Sequence, residues 1–219
     1  GILNKYRNNI SPYDLFPEYR KEKTLRDVIG DFPSLEWGEI SHEDFYHSFR
    51  IYDEKMRPWI HDLKEGESAF DNKDIEKRPH RVIDGKIVEN VKKNRDKYTR
   101  QKWDRFIQCV HTRNDQLAAQ NTVHPEQDRV FSIRELMEMM TVPHEFKWLD
   151  KSLDELNRLS IDEKKKVYKQ HEVNIRQCLG EAVPTEIIRQ IAYKIKNELS
   201  KKRYESVAIG NVIKEYKLT

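Results

Sequence analysis

The sequence is poor in cysteine, in glycine and in long apolar runs, and each shortage excludes a class of protein. Its two cysteines, Cys109 and Cys178, stand far apart with no Cys-x-x-Cys spacing, so neither a disulfide framework nor a zinc or other metal site is indicated. The seven glycines are isolated, so no glycine-rich loop can hold a phosphate or a nucleotide cofactor. No apolar run approaches the roughly 18 residues of a membrane span, and the first residues lack a secretory signal. We therefore expect a soluble cytoplasmic protein with no membrane partner.

Charge, in contrast, is abundant. Charged residues make up 36% of the 219-residue chain and hydrophobic residues 37%. Compared with an average globular domain, the hydrophobic fraction is low and the charged fraction is high. This balance suggests that the chain is part of a larger protein or complex and completes its hydrophobic core against another domain or subunit. A solvated helical protein is the alternative.

The positive charge is concentrated in one segment. Residues 73–113 contain 13 Lys and Arg against 6 Asp and Glu, a net charge of +7, and the rest of the chain carries 28 against 32, or −4. Aromatic, amide and hydroxyl side chains are interleaved with these cations in KNRDKYTRQKWDRFIQCVHTRND. Lys and Arg neutralise phosphates, and Arg, Asn, Gln and Thr can reach base edges. Nucleic-acid binding and a merely solvated face are both open on this pattern.

The pattern of elements predicts an α+β protein. A helix is expected from the N-cap Ser41, with a kink or restart at Pro58 and an end near Gly66. Its apolar stripe consists of Phe45, Phe49, Tyr52 and Met56. Asp84-Gly85 predicts a β-hairpin, and RFIQCVHT reads as another strand. Residues 1–70 are therefore expected to be helical, 71–128 to be a small basic β-rich region with irregular loops, and 129–219 to be helical.

Two further signals mark the C-terminal helices. Ser132 and Glu135 have capping-box spacing at the start of FSIRELMEMM, a short helix that Pro143 ends. Gly180 predicts a turn, and Pro184 suits the first position of the next helix. That helix carries one apolar face, formed by Ile187, Ile188, Ile191, Ile195 and Leu199. Such a face is built to dock, either inside this chain or on a partner.

Four stretches in order resemble the C-terminal part of the DNA cytosine-5 methyltransferase family, from just after its eighth motif to the end. TLRDVIGDFP is similar to the family's Thr-x-x-Asp-x-Ile-Gly-Asp-Leu-Pro, and YTRQKWDRFIQCVHTR to its Tyr-x-Arg-x-x-Trp-Asp stretch. HPEQDRVFSIRELMEMMTVPHEF resembles the ninth motif, and GEAVP the tenth, usually Gly-Asn-Ala-Val-Pro. Departures are Phe106 for Pro, Cys109-Val110 for Thr-Ile, Glu138-Met139-Met140 for Arg-Leu-Gln, and Glu181 for Asn.

The resemblance implies roles for particular residues. In the DNA-binding region, Arg100, Lys102, Arg105 and Arg113 are expected to contact phosphates or guanine edges of duplex DNA. Thr112, Asn114 and Gln116 are expected to read bases or to position the loop. Arg129, Arg134 and Glu135 are expected to organise the junction with a catalytic domain. Gly180, Glu181, Ala182, Val183 and Pro184 would border the S-adenosylmethionine site of the completed enzyme. No catalytic residue is expected here, because neither cysteine follows a proline and the cofactor loop is missing.

The resulting hypothesis is the DNA target-recognition part of a bacterial, restriction-modification type DNA (cytosine-5-)-methyltransferase. The enzyme would use S-adenosylmethionine and methylate C5 of cytosine in duplex DNA once joined to its catalytic domain or subunit. This chain alone should be inactive, whether it is cut from a longer chain or made as one subunit of a split enzyme. The alternative is a stand-alone DNA-binding or helical interaction module. A nuclease function is supported only by short charged patterns such as Asp162-Glu163-Lys164, which a highly charged chain produces by chance.

Overall fold

The computed structural model describes residues 21–49, 54–90, 96–197 and 199–200. The chain divides into two compact units, one formed by Glu22–Ala182 and one by Gly1–Lys21 with Val183–Thr219. In the first unit lie helices α1 (Leu25–Ile29), α2 (Arg57–His61), α3 (Ile133–Met139), α4 (Leu153–Asn157) and α5 (Ile161–Glu181), and strands β1 (His80–Ile83) and β2 (Lys86–Glu89). Short 3-10 turns cover Glu54–Met56, Ala69–Asp71 and Ile75–Lys77. Helix α6 covers residues 185–197 of the second unit, and residues 199 and 200 are also helical.

The predicted α+β class is confirmed. β1 and β2 form an antiparallel ribbon in which Ile83 pairs with Lys86 across the turn. Asp84 and Gly85 both have positive φ, at 50° and 73°, as a tight two-residue hairpin turn requires. Around the ribbon, the chain from 96 to 130 adds only isolated bridges, among them Lys97 with Gln120 and Arg100 with Val123.

Two apolar clusters hold the first unit together. In the larger cluster, α1 and α5 pack against α3, which contributes the buried Ile133, Leu136 and Met137. The smaller cluster lies around Trp59, Tyr98 and Val130, and it joins α2 to the loops that follow the ribbon. The segment 96–131 therefore spans both clusters, because Trp103 and Phe131 belong to the first and Tyr98 and Val130 to the second.

The predicted helix starting at Ser41 is wrong for residues 41–49, which form turns and bends. The Ser41 hydroxyl accepts the N–H groups of Glu43 and Asp44, as an N-cap would. The N–H of Phe45, however, donates to the side chain of Asn157, and that of Phe49 to the carbonyl of Glu39. These backbone N–H groups, which a helix would use for its own hydrogen bonds, thus donate to partners elsewhere in the chain. Residues 50–53, with Tyr52 of the stripe, lie outside the described residues, and Pro58 does restart a helix, at one of the first two positions of α2.

Two other predictions need correction. RFIQCVHT is not a strand, since its only bridge joins Phe106 to Thr24, the N-cap of α1. The turn predicted at Gly180 is displaced, because α5 continues through Glu181 and ends at Ala182, whose backbone is extended. Pro184 explains the displacement, because a proline disfavours helical backbone at the residue before it.

The Ser132–Glu135 capping box is confirmed: each side chain accepts the backbone N–H of the other residue. Ser132 is fully buried, and its hydroxyl also lies 3.0 Å from Nδ1 of His47. Since Nε2 of His47 lies 2.8 Å from the carbonyl of Pro33, Nε2–H donates there and Nδ1 accepts from Ser132. Ser132 therefore serves α3 and the 33–47 region together.

Ser132→Ala is expected to cost about 2 kcal/mol, the upper end for a lost cap, because it also leaves Nδ1 of His47 without its donor. Urea unfolding measures the loss. Ser160→Ala is the matched control, because Ser160 forms the same capping box on α5 at an exposed position. Equal losses in the two variants would show that the buried hydroxyl contributes nothing beyond the cap.

His124 makes the fold sensitive to mild acid. Its Nδ1 accepts the N–H groups of Glu126 and Gln127 at 3.2 and 3.0 Å, so protonation would break both bonds. Burial, with the charge of Arg129 adding to it, lowers the pKa of His124 to about 3. An unfolded histidine has a pKa of about 6.5 and binds a proton between these values. Stability should therefore fall as the pH drops from 6.5 towards 3.

By pH 4.5 this one histidine is expected to cost about 3 kcal/mol of unfolding free energy. Unfolding by urea at pH 7.0, 5.5 and 4.5 measures it against His124→Asn, whose side-chain oxygen can accept the same two N–H groups. The variant should lose clearly less stability over this range. Glu135 adds little in this window, because its own lowered pKa, about 2 against a usual 4.5, acts mostly below pH 4.5. Parallel pH profiles would contradict the assignment.

Candidate nucleic-acid interface

A buried arginine, Arg100, holds the basic segment against the rest of the first unit. Arg100 is 2% exposed, and its guanidinium donates to the carbonyls of His124, Gln127 and Ile60 and to the carboxylate of Asp128. A side chain with these internal partners is not available to a phosphate. The interpretation of Arg100 as a DNA contact is therefore corrected, and the residue instead ties the segment to α2 and to the 124–128 turn.

Four of the other proposed DNA contacts are exposed. These are Lys102, Arg105, Thr112 and Arg113. The side chain of Arg113 is 62% exposed and lies 3.3 Å from the carboxylate of Asp115. Lys102 lies across Gly66, where an added Cβ would come within 2.1 Å of its Cε. These side chains can reach a polyanion without unfolding any part of the protein.

Asn114 and Gln116 lie deeper. Asn114 is 3% exposed, and its amide donates to the carbonyls of His111 and Arg176 at 2.6 and 2.8 Å. The carbonyl of Gln116 accepts the hydroxyl of Thr122 at 2.7 Å, and the residue is half-buried. Asn114 therefore positions the loop, and reading of bases by Asn114 does not fit its burial.

A cavity of about 280 Å³ lies among these residues. Arg100, Lys102, Arg105 and Asn114 contribute to its wall, together with apolar side chains such as Phe131. Thr112, Arg113 and Gln116 are not part of its lining. The structure thus brings four of the seven predicted DNA contacts to one cavity and places the other three on the adjoining turn.

The residues predicted for a domain junction are buried inside the first unit. Arg129 donates to both carboxylate oxygens of Glu135 at 2.7 Å, and both residues are fully buried. Arg134 donates to Asp44 and to the carbonyl of His144. Their partners include backbone carbonyls and carboxylates of the first unit. The junction itself stays a prediction.

The tenth-motif residues fall on the boundary between the two units. Gly180 and Glu181 end α5, Ala182 caps it, and Val183 and Pro184 belong to the second unit. In α6, Ile187 and Ile188 are 41% and 51% exposed and Leu199 beyond it is 53% exposed, whereas Ile191 and Ile195 are half-buried. Docking of this face stays a prediction.

The described residues also bear on other sites. They contain no cluster of His, Cys, Asp and Glu that could hold a metal ion and no helix that could span a membrane. Cys109 and Cys178 are exposed free thiols. Sequence reasoning missed Arg176, which donates to the backbone and side chain of Asn114 from α5. Nothing in the local sequence signals this pairing, because the partners are 62 residues apart.

A family comparison decides the assignment. The model of the C-5 cytosine-specific DNA methylase family matches residues 1–197. The chain belongs to this methylase family. Two curated relatives are similar to it: a type II methyltransferase, M1.HgaI, of Avibacterium volantium, 28% identical over 80% of this chain, and a type II methylase, M.HgiDII, of Herpetosiphon aurantiacus, 25% identical over 81%. In both, the chain spans 44% of the relative's length.

Several of the residues that carry the resemblance to the methylase family support the basic segment. Thr24 and Asp27 form the capping box of α1, and the N–H of Leu25 donates to the carbonyl of Arg105. Trp103 is buried and donates from Nε1 to Glu126, while Asp104 accepts from Arg26 at 2.9 Å. That hydrogen bond lowers the pKa of Asp104. Residues 103–105 of the basic segment, which include the exposed Arg105, are thus fixed to α1 and to the 124–128 turn.

Proposed function

We propose that this chain is the DNA-recognition part of a restriction-modification type DNA (cytosine-5-)-methyltransferase. Joined to a catalytic part, it would direct methylation to C5 of cytosine in duplex DNA. The observation that carries the proposal is the family match over residues 1–197 in a chain that spans 44% of its relatives' length. The exposed cations of the basic segment also support a DNA-binding role for this chain.

The chain's own contribution is binding and orientation. Lys102, Arg105 and Arg113 would neutralise phosphates and fix the register of the protein on the duplex. Thr112, exposed beside Arg113, has a hydroxyl that can donate to or accept from a base edge. The buried Trp103 and Arg100 would not contact DNA. They would hold the backbone that positions the exposed cations.

In the completed enzyme S-adenosylmethionine would supply the methyl group. We expect residues 180–184 to need the catalytic part to form a cofactor site. The space beside Gly180 is filled by the His111–Thr112 peptide, so this glycine offers no cradle, and Glu181, Ala182 and Val183 are exposed. A bordering role for residues 181–184 needs the catalytic part. No chemical step is assigned to any residue of this chain.

Binding of duplex DNA by the chain alone tests the proposal. If Lys102, Arg105 and Arg113 each neutralise one phosphate, affinity should fall about 40-fold between 50 and 200 mM monovalent salt. Little sequence preference is expected without the catalytic part. Fluorescence anisotropy with a labelled 20-base-pair duplex measures both quantities. Absence of binding at 50 mM salt would contradict the proposal and favour the alternative, a helical interaction module.

A further inference from the structure

The last turn of α5 touches the loop that carries Thr112 and Arg113. A Cβ added to Gly180 would lie 2.4 Å from the carbonyl carbon and oxygen of His111 and from the nitrogen of Thr112. Real Cβ atoms do not approach backbone atoms so closely, so any side chain here would displace that peptide by about 1 Å. Gly180 has ordinary helical backbone, and its missing side chain serves this approach alone.

Reciprocal hydrogen bonds fasten the same loop to the same helix. The amide of Asn114 donates to the carbonyl of Arg176, and the Arg176 guanidinium donates back to Asn114 Oδ1 at 3.2 Å. The helix side of this contact is firmly held, since Ile175 and Leu179 are in the core and Tyr168 donates to the carbonyl of Ser48. The loop is therefore positioned against a fixed surface.

The segment before this contact is held differently. In the described part of the chain, residues 107–110 make no backbone hydrogen bond to another segment. They run from the bridge at Phe106 to the contact at His111, along the wall of the 280 Å³ cavity. The stretch is thus held at its ends by α1 and α5, and between them by side-chain packing, because Ile107 and Val110 pack against the larger cluster. Movement of its α5 end would carry Thr112 and Arg113 with it.

We propose that Gly180, together with Arg176, positions the 111–116 loop for DNA contact, so that the C-terminal turn of α5 sets where Thr112 and Arg113 meet the duplex. The inference rests on the proposed function, since it concerns the same DNA contacts. Gly180 does not touch DNA and acts only through the loop.

Gly180→Ala tests the inference, with Cys178→Ala, at an exposed position of the same helix, as the control. DNA affinity at 50 mM salt should fall about three- to tenfold in Gly180→Ala and stay unchanged in Cys178→Ala. Arg113→Ala added to Gly180→Ala should lower affinity by less than it does in the wild-type background, because both changes remove the same contact. Unchanged affinity in Gly180→Ala, or strictly additive losses, would overturn the inference.

Hydrogen exchange of the free protein separates this inference from the proposed function. In Gly180→Ala the hydrogen-bonded amides of the loop, those of Asn114 and Gln116, should exchange faster, while those of α3 keep their protection. Should Gly180→Ala fail to fold, Asn114→Ala replaces it. That change adds no atoms and removes the two hydrogen bonds that the Asn114 side chain donates to the carbonyls of His111 and Arg176. If wild-type protein binds no DNA, the proposed function fails. If it binds DNA and the loop amides are unchanged in the variant, only the positioning role fails.

Discussion

Glu135→Ala is expected to destabilise the protein by about 3–5 kcal/mol, a large share of the 5–15 kcal/mol that a domain of this size has. The substitution leaves the fully buried guanidinium of Arg129 without its carboxylate partner. It also removes the acceptor for the N–H of Ser132, 2.6 Å from Glu135. Although burial by itself raises the pKa of Glu135, the charge and hydrogen bonds of Arg129 outweigh it and hold the pKa at about 2. The carboxylate is therefore charged at neutral pH.

Urea unfolding at pH 7 measures this effect, and Glu163→Ala is the matched control. Glu163 occupies the same position in the capping box of α5, but it is exposed, and its hydrogen bonds join it to the cap residue Ser160. Replacing both partners, Arg129→Met with Glu135→Leu, should cost less than Glu135→Ala alone, because no buried charge is left unpaired. An equal cost for Glu135→Ala and Glu163→Ala would show that the buried pair is not what holds this region.

Reversal of three exposed charges, Lys102→Glu, Arg105→Glu and Arg113→Glu, is expected to remove most DNA binding. Affinity at 50 mM salt should fall by more than about tenfold, and the slope of log affinity against log salt should lose about 2.7 units, because three phosphate contacts are lost. Fluorescence anisotropy over a salt series measures both quantities. Circular dichroism should show an intact fold, since none of the three side chains is buried.

The matched control reverses three exposed cations of α5, Lys165, Lys166 and Lys169. It changes the net charge by the same amount outside the basic segment, so it separates local contact from overall attraction. Arg100 and Lys164 are unsuitable for such a test, because both are buried and hydrogen-bonded to backbone carbonyls. Equal loss of binding in the two triple variants would contradict the placement of the interface.

Local signals in the sequence were sufficient where the partners of a residue lie within a few positions. The Asp84-Gly85 hairpin and the Ser132–Glu135 capping box follow from turn geometry and from a spacing of three residues. The helix predicted from Ser41 failed because Phe45 donates to Asn157, 112 residues away, and no local pattern reports that partner.

The candidate site shows the same limit. Interleaved cations and polar residues identified the segment, and the family motifs led to the proposal that it belongs to a larger enzyme. They could not separate Arg100, which is buried, from Arg113, which is exposed, because burial depends on Ile60 and Asp128. Gly180 was interpreted as a turn residue for a similar reason. Its actual neighbour, the His111–Thr112 peptide, lies about 70 residues earlier in the chain.

Methyl transfer to duplex DNA after mixing with the catalytic part tests the central claim most directly. Labelled S-adenosylmethionine, a mixed-sequence duplex and a separately expressed catalytic part from the same methyltransferase are incubated with and without this chain. The account predicts no transfer by this chain alone, little by the catalytic part alone, and C5-methylated cytosine in the mixture. Methylation by this chain alone, or association of the two parts without methylation, would contradict the claim that this chain is the recognition part of the enzyme.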